Sequence, residues 1–239
     1  HQVFEEIRGV LAAGAGGVLA RDEYLALGIR QSIFPVELRG KLYDLFEKYR
    51  DWLAEAKLYD LNLVAQDWQR LAAPRYDFVV IDEVQDITTV QLALVLRTLK
   101  KPGHFLLCGD SNQIVHPNFF SWSQVKSLFW KDPKLAERQE LRVLTANFRN
   151  GLEATRVANQ LLKIKHRRFG SIDRESNLLV PSVGGDAGRV ALMADKDGTK
   201  REPHQKIRQS TRFAVLVMRD EEKAEARKYF ATPCCSRSM

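Results

Sequence analysis

Cysteine is scarce in this 239-residue chain, which has only Cys108, Cys234 and Cys235. Three cysteines cannot close a disulfide framework, and an adjacent pair lacks the spacing of a metal-binding knuckle. Cys108 lies in an apolar run and reads as a small core residue, so the expected compartment is the cytoplasm, where thiols stay reduced. Methionine is rare too: none precedes Met193, and the chain opens on His1 with no visible signal peptide. It is expected to be an internal piece of a longer product. No uncharged apolar run approaches the roughly 18 residues of a membrane helix. The longest candidate, Val10 to Ala20, is loosened by Gly14, Gly16 and Gly17, and no membrane partner is expected. Phosphate-cradling loops join glycines to a following Lys and Ser or Thr. The stretch Gly14-Ala15-Gly16-Gly17 has neither, and reads as a turn between helices. Internal repeats and low-complexity tracts are absent.

What is present is an ordinary globular balance, 45% apolar and 28% charged, which excludes collagen, a disordered tail and a coiled coil. Thirty-seven Lys and Arg against thirty Asp and Glu give a net charge of +7 and a pI near 9.4. Such an excess suits a polyanionic partner, although many basic proteins bind none.

The texture changes along the chain. From 1 to 58 the pattern is helical: Val36, Leu38, Leu42, Leu45, Phe46 and Tyr49 recur at helical intervals behind Pro35. Lys41, Lys48, Arg50 and Lys57 alternate with acids and read as a solvated face. Beyond Asp60, Leu61 to Leu71 reads as a helix ended by Pro74. Short apolar runs then alternate with helical stretches: Phe78–Ile81, Phe105–Cys108, Val143-Leu144, Val190–Met193 and Ala214–Met218. Between them, Thr88–Lys100, Gly151–Lys165 and Asp220–Phe230 have helical periodicity. Buried strands alternating with helices imply an α/β fold, a parallel sheet covered on both faces. Ligands of such sheets bind beyond the carboxyl ends of the strands, so the residues after each run matter most.

The first run ends in Asp82-Glu83-Val84-Gln85-Asp86. Carboxylates crowded at one strand end repel unless a cation or a wet cleft compensates. A nucleoside triphosphatase needs one carboxylate for Mg²⁺ and a second to orient and polarise the attacking water. Adjacent Asp82 and Glu83 suit those jobs, because neighbouring side chains at a strand end diverge; a solvated acid cluster is the simpler alternative. The second run ends in Gly109-Asp110-Ser111-Asn112-Gln113. Gly109 permits a tight exit, Asp110 can fix the turn, and the Gln113 amide both donates and accepts. The third ends in Asn147-Phe148-Arg149, where Arg149 offers a positive fork for a phosphoryl group. Taken alone, the second reads better as an ordinary turn, and the third is more often a surface arginine.

Together, in this order and at these strand ends, the three resemble the DExQD, GDxxQ and NYR motifs of superfamily 1 helicases, and the chain is similar to the UvrD/Rep branch of that family. The resemblance runs from Tyr59 through Phe230. It implies a RecA-like (P-loop NTPase) fold: a helical insertion at 1–58, part of a first RecA-like domain at 59–150, and the start of a second at 151–239. It implies ATP and Mg²⁺ as cofactors, with Asp82 and Glu83 at the metal. Glu83 would activate water, Gln113 would couple the γ-phosphate to DNA, and Arg149 would contact the γ-phosphate. The missing phosphate loop is expected upstream and the later motifs downstream. Single-stranded DNA or a DNA junction is the implied partner. The family places a base-stacking aromatic three residues after the motif glutamine; here that position is His116, with Phe119, Phe120 and Trp122 following. Stacking by one of them is worth about 1–3 kcal/mol per base, whereas Phe119 and Phe120 suit core packing equally well. Phe148 stands where the family has tyrosine.

The resemblance thus implies a fragment of an ATP-dependent DNA helicase, inactive alone. The alternative is a non-catalytic helicase-like module that binds DNA or protein. A metal-dependent nuclease is a third reading, without further acidic or Lys motifs to support it. Lys163, Lys165, His166, Arg167 and Arg168 form a basic cluster, suited to phosphates or simply a solvated helix end. The final Cys234-Cys235-Ser236-Arg237-Ser238-Met239 breaks the preceding pattern. Codons for Leu-Leu-Phe-Ser-Ile-His, read one base late, can encode it, and we expect a frameshift there. Resequencing the encoding DNA should reveal an intact downstream frame. An unshifted stop codon in related genomic copies would count against it.

Overall fold

The computed structural model describes residues 1–29, 31–110, 112–113, 122–128, 142–170, 180–183, 187–192 and 214–230. These fall in two compact units, His1–Asp186 and Ala187–Met239.

The larger unit begins with helices. Helix α1 (Gln2–Glu6) runs on into a wider π-type turn, Ile7–Leu11, and α2 spans Arg21–Leu25. Helix α3 (Val36–Ala56) starts behind Pro35, whose fixed φ suits a helix entry, and stops at Lys57 in the left-handed conformation. Its Leu42, Tyr43 and Phe46 face Ile7, Val10, Leu11 and Tyr24 in one apolar cluster. Lys41, Lys48, Arg50 and Lys57 are exposed to solvent, as the alternating charges predict.

Two buried charged side chains lock this helical region. The Glu6 carboxylate accepts hydrogen bonds from Tyr24 Oη at 2.8 Å, Ile33 N at 2.9 Å and the Ser32 hydroxyl. Arg39, only 1% exposed, donates to the carbonyls of Phe34, Leu25, Leu27 and Gly28. Buried charge is tolerated because it is hydrogen-bonded. Neither role was legible in the sequence.

Helix α4 (Leu61–Trp68) is capped by Asp60, which accepts from Asn62 N at 2.8 Å and Leu63 N at 3.3 Å. The expected turn Gly14–Gly17 lies between the π-type turn and α2, closed by Gly17 N donating to Gly14 O at 3.1 Å. Two strands follow, β1 (Val79–Ile81) and β2 (Phe105–Leu107), paired parallel in the register Val79↔Phe105 and Ile81↔Leu107. Helix α5 (Thr89–Arg97) makes the crossover a parallel pair requires. Its first turn is tied by Thr88 N donating to the Gln91 side chain at 3.1 Å. The short helix α6 (Trp122–Ser127) brings Val125 to a second cluster with Val84 and Leu92. Asn62 joins the helical and strand regions: it donates to Arg8 O and accepts from Thr88 Oγ1, both at 2.8 Å.

The outcome differs from sequence expectation in the sheet. Two parallel strands, not five, are formed among the described residues, and only one face is covered. Ile81, Phe105 and Leu107 pack on the second cluster, while Val80 and Leu106 on the other face are 61% and 51% exposed. The remaining apolar runs form no strands there: residues 142–146, 187–192 and 214–217 lack ladders, although Asn147 makes an isolated parallel bridge to Ser182. Leu144 and Leu216 are 84% and 92% exposed. Apolarity favours a strand only where a neighbouring strand exists to pair with it.

Helix α7 (Leu152–Phe169) belongs to the larger unit, and the bridge at Asn147 ties the chain after it back to the segment before. In the smaller unit, α8 (Glu222–Phe230) begins with Glu222 accepting from Met218 N at 3.0 Å. Lys223 pairs with Asp220 at 2.6 Å and holds its carboxyl below the usual range.

Burial, aided by the neighbouring Asp60 carboxylate, pushes the Tyr49 phenol up to about 12. A raised tyrosine pKa means the folded state keeps a proton that the unfolded chain releases from about pH 10. The contribution of Tyr49 is therefore complete below about pH 10 and is lost as pH climbs towards 12. Urea midpoints measured across this window should fall less steeply for Tyr49→Phe than for the wild-type chain.

Candidate nucleotide site at the strand tips

Parallel pairing sets the ends of β1 and β2 side by side, and the ladder continues past both: Cys108 N donates to Ile81 O at 2.8 Å and Val84 N to Cys108 O at 2.9 Å. This delivers Asp82-Glu83 and Gly109-Asp110 to one edge. Asp82 and Glu83 are both exposed. Glu83 adopts a left-handed backbone, φ 51° and ψ 43°, which is uncommon outside glycine and costs on the order of 1 kcal/mol. The kink starts a 3₁₀ turn, Val84–Asp86, that buries Val84 and Gln85 beneath the two carboxylates.

Gln85, 2% exposed, is the centre of the arrangement. Its Nε2 donates to Glu83 Oε2 at 2.6 Å, and its Oε1 accepts from Asp110 N at 3.0 Å. Asp110 in turn organises the second loop. One carboxylate oxygen accepts from Asn112 N at 2.8 Å, and the other from Gln113 Nε2 at 2.9 Å. A continuous hydrogen-bonded path thus runs from Glu83 through Gln85 and Asp110 to Gln113. The sequence placed Glu83 and Gln113 at this edge but missed Gln85 as their connector. The available signal was position: an amide two residues beyond Glu83 can reach back to it across a turn.

Gly109 is where the two loops touch. A Cβ there would lie 2.6 Å from Gln85 Oε1 and 2.8 Å from Val84 Cγ1, closer than packed atoms allow. Glycine is therefore required by the close approach of the second loop to the first.

Arg149 stands apart. Asn147 closes a turn by accepting from Arg149 N at 3.0 Å and Asn150 N at 3.1 Å, leaving the Arg149 side chain exposed. No hydrogen bond or ion pair joins Arg149 to Asp82, Glu83 or Gln113 among the described residues. Of the aromatic candidates, Trp122 is half-buried and packs against the Val84, Leu92 and Val125 cluster. His116, Phe119 and Phe120 lie outside the described residues. The basic cluster ends α7, and Lys165 Nζ reaches Asn112 Oδ1 at 3.3 Å, beside Gln113.

The donor set fits Mg²⁺ held largely by water and phosphate. Asp82 uses Oδ1 to accept from Glu83 N at 2.9 Å, and its other oxygen has no hydrogen-bond partner among the described residues. Among the described residues, no group of three His, Cys, Asp or Glu side chains converges there as a metal cage. Mg²⁺ characteristically keeps several waters and takes one or two carboxylates plus substrate phosphates.

Two strand-tip loops at the carboxyl ends of a parallel pair lie where open α/β sheets bind their ligands. Residues 39–123 match the family model of the UvrD/REP helicase N-terminal domain, a match that supports reading this part of the chain as a UvrD/Rep-like helicase segment. The chain is also 27% identical over 120 residues to the human TPR and ankyrin repeat-containing protein 1, covering 47% of this chain. It spans only 4% of the length of that relative. Among the described residues no helix is long and apolar enough to cross a membrane.

Gly109→Ala should lower stability by about 1–3 kcal/mol, the usual cost of forcing atoms into a filled site. The check is the urea midpoint. A midpoint equal to wild type would show that the two loops can part without cost.

Proposed function

We propose that the chain is part of an ATP-dependent DNA helicase, contributing the hydrolytic edge of a first RecA-like domain. The observation that carries this reading is the path Glu83–Gln85–Asp110–Gln113 at the tips of paired parallel strands, within the segment matched to the helicase family. ATP and Mg²⁺ are the implied cofactors, and bound Mg²⁺ would supply charge neutralisation at the phosphates. Asp82 would hold it, mainly through water, with Glu83 nearby. Glu83 orients the attacking water and accepts its proton. Gln113, its amide already turned to Asp110, is placed to exchange that partner for a terminal phosphate. Arg149 would add positive charge at the γ-phosphate.

The partition we propose is a helical insertion at 1–58, a first RecA-like domain from 59 to 150, and the start of a second from 151 to 239. The bare face carrying Val80 and Leu106 supports a larger sheet in the parent protein, with helices on both faces. Single-stranded DNA or a junction would be gripped beside the second loop. His116, Phe119 and the exposed side of Trp122 would stack on bases, and the basic end of α7 would face phosphates. ATP hydrolysis would drive translocation and unwinding, a role compatible with DNA repair in the cytoplasm.

A second reading is a non-catalytic DNA- or protein-binding module. The Asp82-Glu83 pair counts against it, because a decayed site has no need for both carboxylates.

The two readings separate in one experiment. The chain joined to its upstream sequence should hydrolyse ATP with Mg²⁺ and DNA, and Glu83→Gln should cut kcat by about 10²–10⁴-fold, as expected for loss of a general base. The 239-residue chain alone should show no appreciable rate. Undiminished activity in the Glu83→Gln protein removes Glu83 from its role, and a joined protein with no ATPase favours the binding module.

A further inference from the structure

We propose that a groove along one face of α7 is a binding site for single-stranded nucleic acid, holding one base while Arg156, Lys163 and Arg167 take neighbouring phosphates. This site rests on the DNA-binding role proposed above and gives it a location.

The basic residues of α7 do not form one patch. Successive helical residues turn by about 100°, so Leu152, Arg156, Lys163 and Arg167 fall on one face and Lys165 and Arg168 on the far one. Lys165 accordingly reaches away, to Asn112 Oδ1 at 3.3 Å in the loop after β2. The groove opens on the first face, between α7 and residues 180–183, with a volume of about 300 Å³. Leu152 and Pro181 give it apolar walls, Asn159 and Gln160 bring amides, and Arg156 and Lys163 supply positive charge. The facing segment is held in place at several points. Asn147 N donates to Pro181 O and Val183 N to Asn147 O, both at 3.0 Å. Asn159 Nδ2 donates to Val180 O at 3.1 Å, and Ser182 Oγ to Asn150 O at 2.8 Å. A groove fixed in this way loses little freedom when it is filled.

Charge and shape together select the occupant. Among the described lining residues the only acid is Glu153, which lies 3.7 Å from Arg156 and leaves that side chain 72% exposed. Lys163 and Arg167 are exposed as well. Along the helix axis Arg156 and Lys163 stand roughly 10 Å apart and Lys163 and Arg167 about 6 Å, a line that a phosphodiester strand can follow. The volume is at the small end for ligand pockets and admits one base with its sugar. A duplex keeps its bases paired inward, whereas an unpaired strand can splay one out. Apolar walls beside amides suit a base, which has an apolar face and a hydrogen-bonding rim. An acidic peptide would match the cations but leave the walls without an apolar partner.

Fluorescence anisotropy of a labelled oligothymidylate, titrated with this chain in the absence of ATP, tests the site. Arg156→Gln and Lys163→Gln alter exposed side chains, so folding is not at risk. Each should weaken binding by about threefold or more and lower the slope of log K against log salt by about 0.7, the value for one phosphate contact on a single strand. Arg168→Gln, on the far face, should bind as wild type does. A strand of abasic residues should bind about tenfold more weakly, because it has no base to stack. Light-induced crosslinking of a thiothymidine strand should label residues 152–163 or 180–183. The proposal is overturned by absence of binding at low salt, by unchanged affinity in both Arg156→Gln and Lys163→Gln, or by an equal loss in Arg168→Gln. Crosslinks confined to other segments also overturn it, as does polyglutamate displacing the strand as well as unlabelled oligothymidylate does. A joined protein without ATPase activity would instead strike the helicase reading, leaving these binding results to judge the groove by themselves.

Discussion

The parallel register between Val79–Ile81 and Phe105–Leu107 is the constraint on which the site depends. Parallel strands leave the sheet in the same direction, so their exits are neighbours without any further arrangement. Two turns that are 25 or so residues apart in sequence are then close enough to share side chains, as Gln85 and Asp110 do. Strand pairing supplies the proximity, and the missing side chain of Gly109 supplies the final approach. A one-residue slip would turn Ile81 and Leu107 away from Val84 and Leu92, and separate the two exits by the same step.

The region before the strands holds its shape differently. An apolar cluster around Phe46, Tyr43 and Leu11 is combined with two buried charges whose partners are mostly backbone groups. Arg39 ties up four carbonyls in the turns around α2, and Glu6 takes donors from three separate residues. Removing either would strand several polar groups away from water, each at a cost of about 1–3 kcal/mol. Asn62 carries this rigidity across to the start of α5, because its one amide contacts both Arg8 and Thr88.

Helices were the legible part. Pro35, Asp60 and Thr88 each mark a start that the fold uses, since helix ends are decided by local geometry. Of the apolar runs, those at 79–81 and 105–107 became strands because each had the other as a partner across α5. Leu144 and Leu216 look no less apolar, yet they stay exposed among residues without a ladder. Pairing is a property of two segments, and neither contains it alone. The site shows the same division. Asp82, Glu83 and Gln113 were readable as chemistry-bearing residue types after strands, and the fold joins Glu83 to Gln113. Gln85 reads as one more polar residue in a turn until its burial is known.

The sequence by itself determined which residues could form helices, where those helices begin, and which polar groups stand at the strand exits, because these follow from local backbone preference and residue chemistry. Tertiary structure alone decided which apolar runs pair, which charges go inside, and that a single buried amide connects the two loops. Those outcomes depend on distances between segments far apart in the chain, which packing sets and no local pattern encodes.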